Sequence, residues 1–188
     1  YARYGTTLLE ACAAEGTHYC DLTGEPQWMA SVFERVSDAA EESGARMIHC
    51  CGFDSIPSDL GVYVAQKTMM EKHGLYASSV SGRMGQSKGA VSGGTVASML
   101  LAIEQGISDP VAKKALNDPY SLYPAEVEPG RDGPDQRGAQ WDDCFQSWTG
   151  PFVMAAINSK VVRRSNALAS LIYGADFSYN EAILMPSR

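Results

Sequence analysis

No two of the eighteen glycines are separated by a single residue, so the sequence contains no Gly-x-Gly-x-x-Gly turn, and no Gly-Lys-Ser or Gly-Lys-Thr closes a phosphate-binding loop. Apolar runs are short: the one around Met99 to Ile103 falls far below the roughly twenty residues of a bilayer-spanning helix, so no transmembrane segment is expected. Basic residues are in deficit, 15 against 22 acidic, and the net charge of -7 repels a phosphate backbone, which argues against nucleic acid as a partner. The five cysteines, at positions 12, 20, 50, 51 and 144, fit neither a disulfide framework nor a zinc site, and a reducing cytoplasm is the expected setting. Three histidines, His18, His49 and His73, lie far apart, and no metal site is expected. No initiator methionine and no signal peptide stand at the start, which reads as an excerpt of something longer.

What is present is organised around Gly52-Phe53-Asp54-Ser55-Ile56-Pro57-Ser58-Asp59. An apolar run, Met47 to Cys51, precedes it and a helix-like stretch, Leu60 to Lys72, follows, so it is a strand-to-helix turn, the usual ligand rim of an α/β sheet. Upstream, Thr7-x-x-Glu10 reads as a capping box, Thr17 to Leu22 as a strand, and Thr23-Gly24-Glu25-Pro26 as a turn. Trp28, Met29, Val32, Phe33, Val36, Ala39 and Ala40 then recur at helical steps until Gly44. Strand, helix, strand, helix in roughly thirty residues per unit predicts parallel pairing with right-handed crossovers.

After Gly74 the texture changes. Ser78 to Met84 reads as a strand, Gly85 to Gly94 as a glycine- and serine-rich loop, Thr95 to Gln105 as a helix and Asp109 to Asn117 as a short helix begun by Pro110. Pro119 to Gln140 is irregular, of the kind that forms lids or partner surfaces. Trp141 to Thr149 reads as a strand, Phe152 to Tyr173 as a long helix and Phe177 to Leu184 as a final strand. The expected fold class is α/β, with a parallel α/β unit over residues 1–72 and a second layer over 73–188.

Adjacent parallel strands would bring Asp21-Leu22-Thr23-Gly24-Glu25 and Gly52-Phe53-Asp54-Ser55 to one sheet edge. Thr23 and the amides around Gly24 and Gly52 suit an anionic or dinucleotide ligand, and Asp21 or Glu25 could accept from a hydroxyl; capping of the following helices accounts for the same residues. Ser92-Gly93-Gly94-Thr95 precedes a helix and offers free amides to a carbonyl or anion, or simply an N-cap. Lys160, Arg163 and Arg164 share a helical face, which reads as a solvated basic face or as a hold for a cofactor phosphate, a carrier arm or a carboxylate of another domain.

Tyr4-Gly5, Ala11-Cys12, Gly16-Thr17-His18-Tyr19, Asp21 to Glu25, Gly52 to Asp59, Ser92 to Thr95 and Val161-Val162-Arg163-Arg164-Ser165-Asn166, in that order, resemble the saccharopine dehydrogenase-like oxidoreductases, in particular the bacterial trans-acting enoyl reductase branch. The resemblance covers nearly the whole chain. It implies a parent of about twice this length, with an NAD(P)-binding Rossmann domain and an α+β substrate domain, this chain beginning after the glycine fingerprint. Relatives acting on saccharopine carry a Gly-Leu-Asp-Pro-Gly-like turn where this chain has Gly52-Phe53-Asp54-Ser55-Ile56-Pro57.

The implied activity is reduction of an enoyl acyl thioester by NADP or NAD in reduced form, with hydride to the β-carbon and a proton to the α-carbon. The residues expected at the cofactor are Asp21, Thr23, Gly24, Gly52, Phe53 and Asp54. Those expected at the substrate are Ser55, Ser92, Gly93, Thr95, Asn158 and Arg164, and the proton-donor candidates are Tyr19, Asp54 and Ser55. A homodimer is a possible assembly. The alternatives are a non-catalytic substrate-binding or dimerisation module and an amino-acid oxidoreductase of the saccharopine type. The chain alone is expected to be inactive.

Overall fold

The computed structural model describes residues 1–85 and 93–185, with the backbone alone for Thr95 and Met99. Two compact units emerge, one made of residues 1–53 and 91–122, the other of 54–90 and 123–188. Helix α3, grouped by the sequence reading with the first two strands, belongs to the second unit. Both units mix helix and sheet.

In the first unit α1 (Gly5–Ala14) leads to β1 (Tyr19–Cys20), α2 (Pro26–Ser43) and β2 (Met47–Ile48). The strands pair in parallel, Tyr19 with Met47 and Cys20 with Ile48, as the alternation of elements predicts. Pro26 presets the first turn of α2, and Gly44 ends it at φ 73°, a left-handed conformation open to glycine. The face of α2 bearing Trp28, Met29, Val32 and Val36 is buried, and Leu9 and Ala13 of α1 join that core. The capping box expected at Thr7 and Glu10 does not form, because α1 begins three residues earlier, with Tyr4 at the N-cap; Thr6 instead accepts from Trp28 Nε1 at 3.0 Å and Glu10 pairs with Arg35. Helices α4 (Gly93–Ser108) and α5 (Pro110–Asn117) complete the unit, with Asp109 capping α5 by accepting from Val111 N at 2.8 Å.

The second unit opens with α3 (Ile56–His73), whose charges complement its dipole, Asp59 in the first turn and Lys72 and His73 in the last. Gln66, fully buried, both donates to Ala77 O and accepts from Ala77 N at 2.8 Å, fixing the turn from α3 into β3 (Ser79–Met84). The strands β4 (Gln140–Asp142), β5 (Ser147–Pro151) and β6 (Ser178–Leu184) join β3 in the order β3-β6-β5-β4. Only β3 and β6 are parallel, so this sheet is mixed. The single strand expected over Trp141 to Thr149 is a hairpin, because Asp142 turns back to accept from Cys144 N and Phe145 N at 3.0 and 3.1 Å.

Helix α6 (Ala155–Leu168) is shorter than the sequence pattern suggests and buries polar groups on several sides. The solvated basic face expected there is overturned: Lys160 and Arg163 are each 4% exposed. Arg163 donates to Asp132 Oδ2 from Nε at 3.0 Å and Nη2 at 2.8 Å, and Ser159 Oγ donates to Asp135 at 2.6 Å. Asp132 also accepts from Tyr179 N at 2.9 Å. Carboxylates of the segment 123–139 thus pin it to the helix. Val62, Val162, Phe177 and Tyr179 form the apolar core, with Val80 and Tyr173 against it.

Gly82 of β3 admits Tyr179 and Glu181 of β6 close to its backbone; a Cβ there would lie 2.8 Å from the tyrosine hydroxyl and 3.0 Å from Glu181 Cγ. Gly82→Ala should therefore destabilise by about 1–3 kcal/mol through overpacking, read as a lower urea midpoint at unchanged m-value.

Candidate functional site

The two loops that follow β1 and β2 do meet, and Asp21 joins them. Its Oδ1 accepts from Thr23 N at 3.0 Å and Cys50 N at 3.2 Å, and its Oδ2 accepts from Tyr19 OH at 3.0 Å and His49 Nδ1 at 2.7 Å. The backbone repeats the link, with Cys51 N donating to Asp21 O at 2.7 Å. Burial acts to raise the Asp21 pKa, but the donors, His49 first, outweigh it and hold the carboxyl below its usual value. Burial, then the Asp21 charge, pushes the Tyr19 phenol far above its ordinary range.

His49 follows from the same arrangement. Its side chain, 4% exposed, is packed edge-to-face against Trp28 at 5.2 Å and near Tyr19 and Phe33. The Asp21 contact assigns the proton to Nδ1, and Nε2 meets no polar partner among the described residues.

The chemistry offered to a ligand at this rim differs from the expectation. Asp21 and Thr23 are buried and engaged internally, Thr23 Oγ1 accepting from Glu25 N at 3.2 Å. Glu25, also buried, accepts from Ala2 N at 2.7 Å and Ser98 Oγ at 2.9 Å. What faces outward is Gly24, with open space where a side chain would project, together with Leu22 at 67% and Phe53 at 86% exposure. Gly52 packs under Leu22, its absent Cβ lying 3.2 Å from Leu22 Cδ2. Asp54 is exposed, and Ser55 is buried at the N-cap position of α3 without a side-chain capping bond. Ser92 and the Thr95 side chain lie outside the described residues; Gly93 is exposed at the start of α4.

A second polar cluster lies in the second unit, and only Asn158 of the expected residues belongs to it. Asn158 Nδ2 donates to Ser58 Oγ and to Glu181 Oε2, each at 3.0 Å, and Tyr179 OH donates to Glu181 Oε1 at 2.5 Å. Asn158, Tyr179 and Glu181 are 1%, 2% and 5% exposed. Burial, then the bond to Glu181, drives the Tyr179 phenol far above its ordinary range, so it stays protonated. Beside this cluster is a cavity of about 190 Å³ between the first turns of α3 and the β3–β6 face, lined by Pro57, Ser58, Gly61, Val62, Val80, Gly82, Arg83, Met84, Phe152, Tyr179 and Glu181. Arg83 is held by Asp142 at 2.6 Å and by Asn180 at 2.7 Å. Arg164 does not line this cavity; burial lowers its pKa, opposed by the charge of Glu126.

Asp59 is placed differently from Asp21. Its Oδ2 accepts from Ser165 Oγ at 3.0 Å, yet burial dominates and raises its pKa. An acid whose folded value is raised loses stability as pH climbs through the unfolded and then the folded value. Asp59→Asn should accordingly raise the melting temperature at neutral pH, with the gain shrinking on acidification; melts at two pH values read this directly.

No family model and no solved structure matches the chain. Curated proteins do. A provisionally named trans-acting enoyl reductase of Mycobacterium tuberculosis is 42% identical over 193 residues, covering 100% of this chain and 46% of that protein. Trans-acting enoyl reductases of Mycobacterium bovis and Mycobacterium leprae are 39% identical over 208 residues and 38% identical over 190, each covering 97% of this chain and 46% of the relative. The chain spans about half the length of these relatives, and over essentially all of its own length it is similar to proteins named trans-acting enoyl reductase.

Proposed function

We propose that this chain is part of an NAD(P)H-dependent enoyl reductase of the saccharopine dehydrogenase-like kind, which saturates the double bond of an α,β-unsaturated acyl thioester in the cytoplasm. The observation that carries the reading is the similarity, over the whole chain, to proteins named trans-acting enoyl reductase. The parallel pair β1–β2 with both following loops at one edge supports it, since a Rossmann-like sheet binds its cofactor at such an edge.

The rim fits one end of a dinucleotide. Open backbone at Gly24 and the exposed faces of Leu22 and Phe53 suit a flat, uncharged ring, whereas no glycine cradle for a diphosphate occurs in this sequence. In this reading polypeptide outside the sequence supplies the diphosphate grip. Bound there, a reduced nicotinamide supplies the hydride.

The chain's own residues set the geometry. Asp21, with four donors from two loops, preorganises the rim, and Leu22 and Phe53 add exposed apolar surface to it. Of the three proton-donor candidates, Tyr19 has its hydroxyl engaged by Asp21 and its acidity suppressed, Ser55 is buried and Asp54 is exposed, and none is assigned the role.

The test is the full-length gene product with NADPH and but-2-enoyl N-acetylcysteamine, following cofactor absorbance and the mass of the saturated product. Stoichiometric reduction is expected; no cofactor consumption with short or long enoyl thioesters overturns the reading. The 188-residue chain alone should bind NADPH weakly or not at all, and tight binding would contradict the missing diphosphate grip.

A second reading, an interaction or dimerisation module, is favoured by one feature of α4. Val96, Leu100, Ile103 and Ile107 form a helical stripe exposed at 46%, 62%, 61% and 83%. Sedimentation of the chain and of Leu100→Glu distinguishes it: concentration-dependent association abolished by the charge supports a module.

A further inference from the structure

We propose that the cavity beside Glu181 is a binding site for a group with a short apolar body and an N–H head, which Glu181 receives. The inference is independent of the reductase reading. It starts from the charge: Glu181 is 5% exposed, its oxygens accept from Tyr179 and Asn158, and it has no cationic partner among the described residues. A buried carboxylate left with neutral donors is costly, and a cation or a further N–H from a ligand offsets that cost. The polar wall is rich in acceptors. Glu181 contributes free lone pairs, and Asn158 spends its amide hydrogens on Ser58 and Glu181. The Arg83 guanidinium is held by Asp142, Asn180 and the Gly82 carbonyl. Glu181 repels a ligand carboxylate and offers an N–H an acceptor, while the charge of Arg83 is already matched by Asp142.

The body of the ligand follows from the remaining wall. Val62, Val80, Met84 and Phe152 are apolar, and the cavity measures about 190 Å³. Since an apolar cavity of about 150 Å³ admits one benzene ring, roughly six to eight non-hydrogen atoms fit.

Gly61 supplies an independent argument for an open cavity. It lies inside α3, where glycine costs about 1 kcal/mol relative to alanine, yet φ is ordinary and a Cβ would meet nothing within 4 Å. No packing or backbone demand explains it. It is exposed and lies in the lining, so the wall stays open at that point.

The probes are n-butylammonium, N-methylbutanamide and butanoate, titrated by NMR against the 188-residue chain and the full-length product without cofactor. The ammonium arm tests an amine ligand and the amide arm a neutral N–H ligand. At least one N–H probe should bind with a dissociation constant of about 1 mM, reasonable for a ligand of this size, and butanoate at least tenfold more weakly. Gly61→Leu, which has room to fold, should abolish binding while raising the melting temperature. Glu181→Gln should weaken ammonium binding at least tenfold, whereas Tyr179→Phe, which keeps the carboxylate, should retain it. Butanoate binding as well as the N–H probes, unaltered binding by Gly61→Leu, or saturation by no N–H probe overturns the proposal. Because none of these readouts uses turnover, they stand apart from the reductase test.

Discussion

Asp132→Ala should cost about 3–5 kcal/mol of unfolding free energy, a large share of the roughly 5–15 kcal/mol that holds a typical native protein folded. The residue sits in an irregular segment, where substitutions are usually mild, but its carboxylate faces a guanidinium that is only 4% exposed. Removing it strips the buried charge of its ionic partner and leaves Tyr179 N without its acceptor. The double variant Arg163→Met with Asp132→Asn should recover part of the loss, since the amide oxygen still accepts from Tyr179 N and neither member of the pair is left as a lone buried charge. Urea unfolding of the two variants checks both statements. Equal loss in the single and double variants would show that Asp132 matters for something other than the ion pair.

The second large effect is expected at Asp21. Asp21→Ala orphans the Thr23 and Cys50 amides and the His49 Nδ1–H together, each an unsatisfied donor worth about 1–3 kcal/mol. Because they share one partner their costs do not add fully, and about 3–5 kcal/mol is the expected total. The pH dependence has a defined sign. The folded carboxyl is held below its unfolded value of 3.8, so the stabilisation is complete above that value and is lost as pH falls through the folded one. The difference between wild type and Asp21→Asn should therefore be flat from neutrality to about pH 5 and close in stronger acid. A difference that grows on acidification would contradict the direction of the shift.

The sequence disclosed those features whose causes are local. The run from Trp28 to Val36 and the stop at Gly44 defined α2, and the turn residues after Cys20 and Cys51 gave the two loops and their shared edge. It did not disclose how Asp21 is used, because His49 and Cys50 stand 28 and 29 residues away and nothing nearby marks a carboxylate as already satisfied. Arg163 failed for a related reason. Basic residues at helical spacing read as a wet face unless the partner is known, and Asp132 lies 31 residues upstream in a stretch without periodicity. The Tyr179–Glu181 pair did leave a trace. In β6 the positions sharing a face with buried Phe177 are Tyr179 and Glu181, and a carboxylate on the inward parity of a strand signals a polar site.

The β1–β2 pair carries a last implication. Two residues per strand make a ribbon too short to stand on its own ladder, and the Asp21 clasp substitutes for the missing rungs. Among the described residues neither outer flank of that ribbon is zipped to another strand. Its outward amides and carbonyls are a template, completed by added strands of the same polypeptide or, if left bare, by other molecules in concentrated solution.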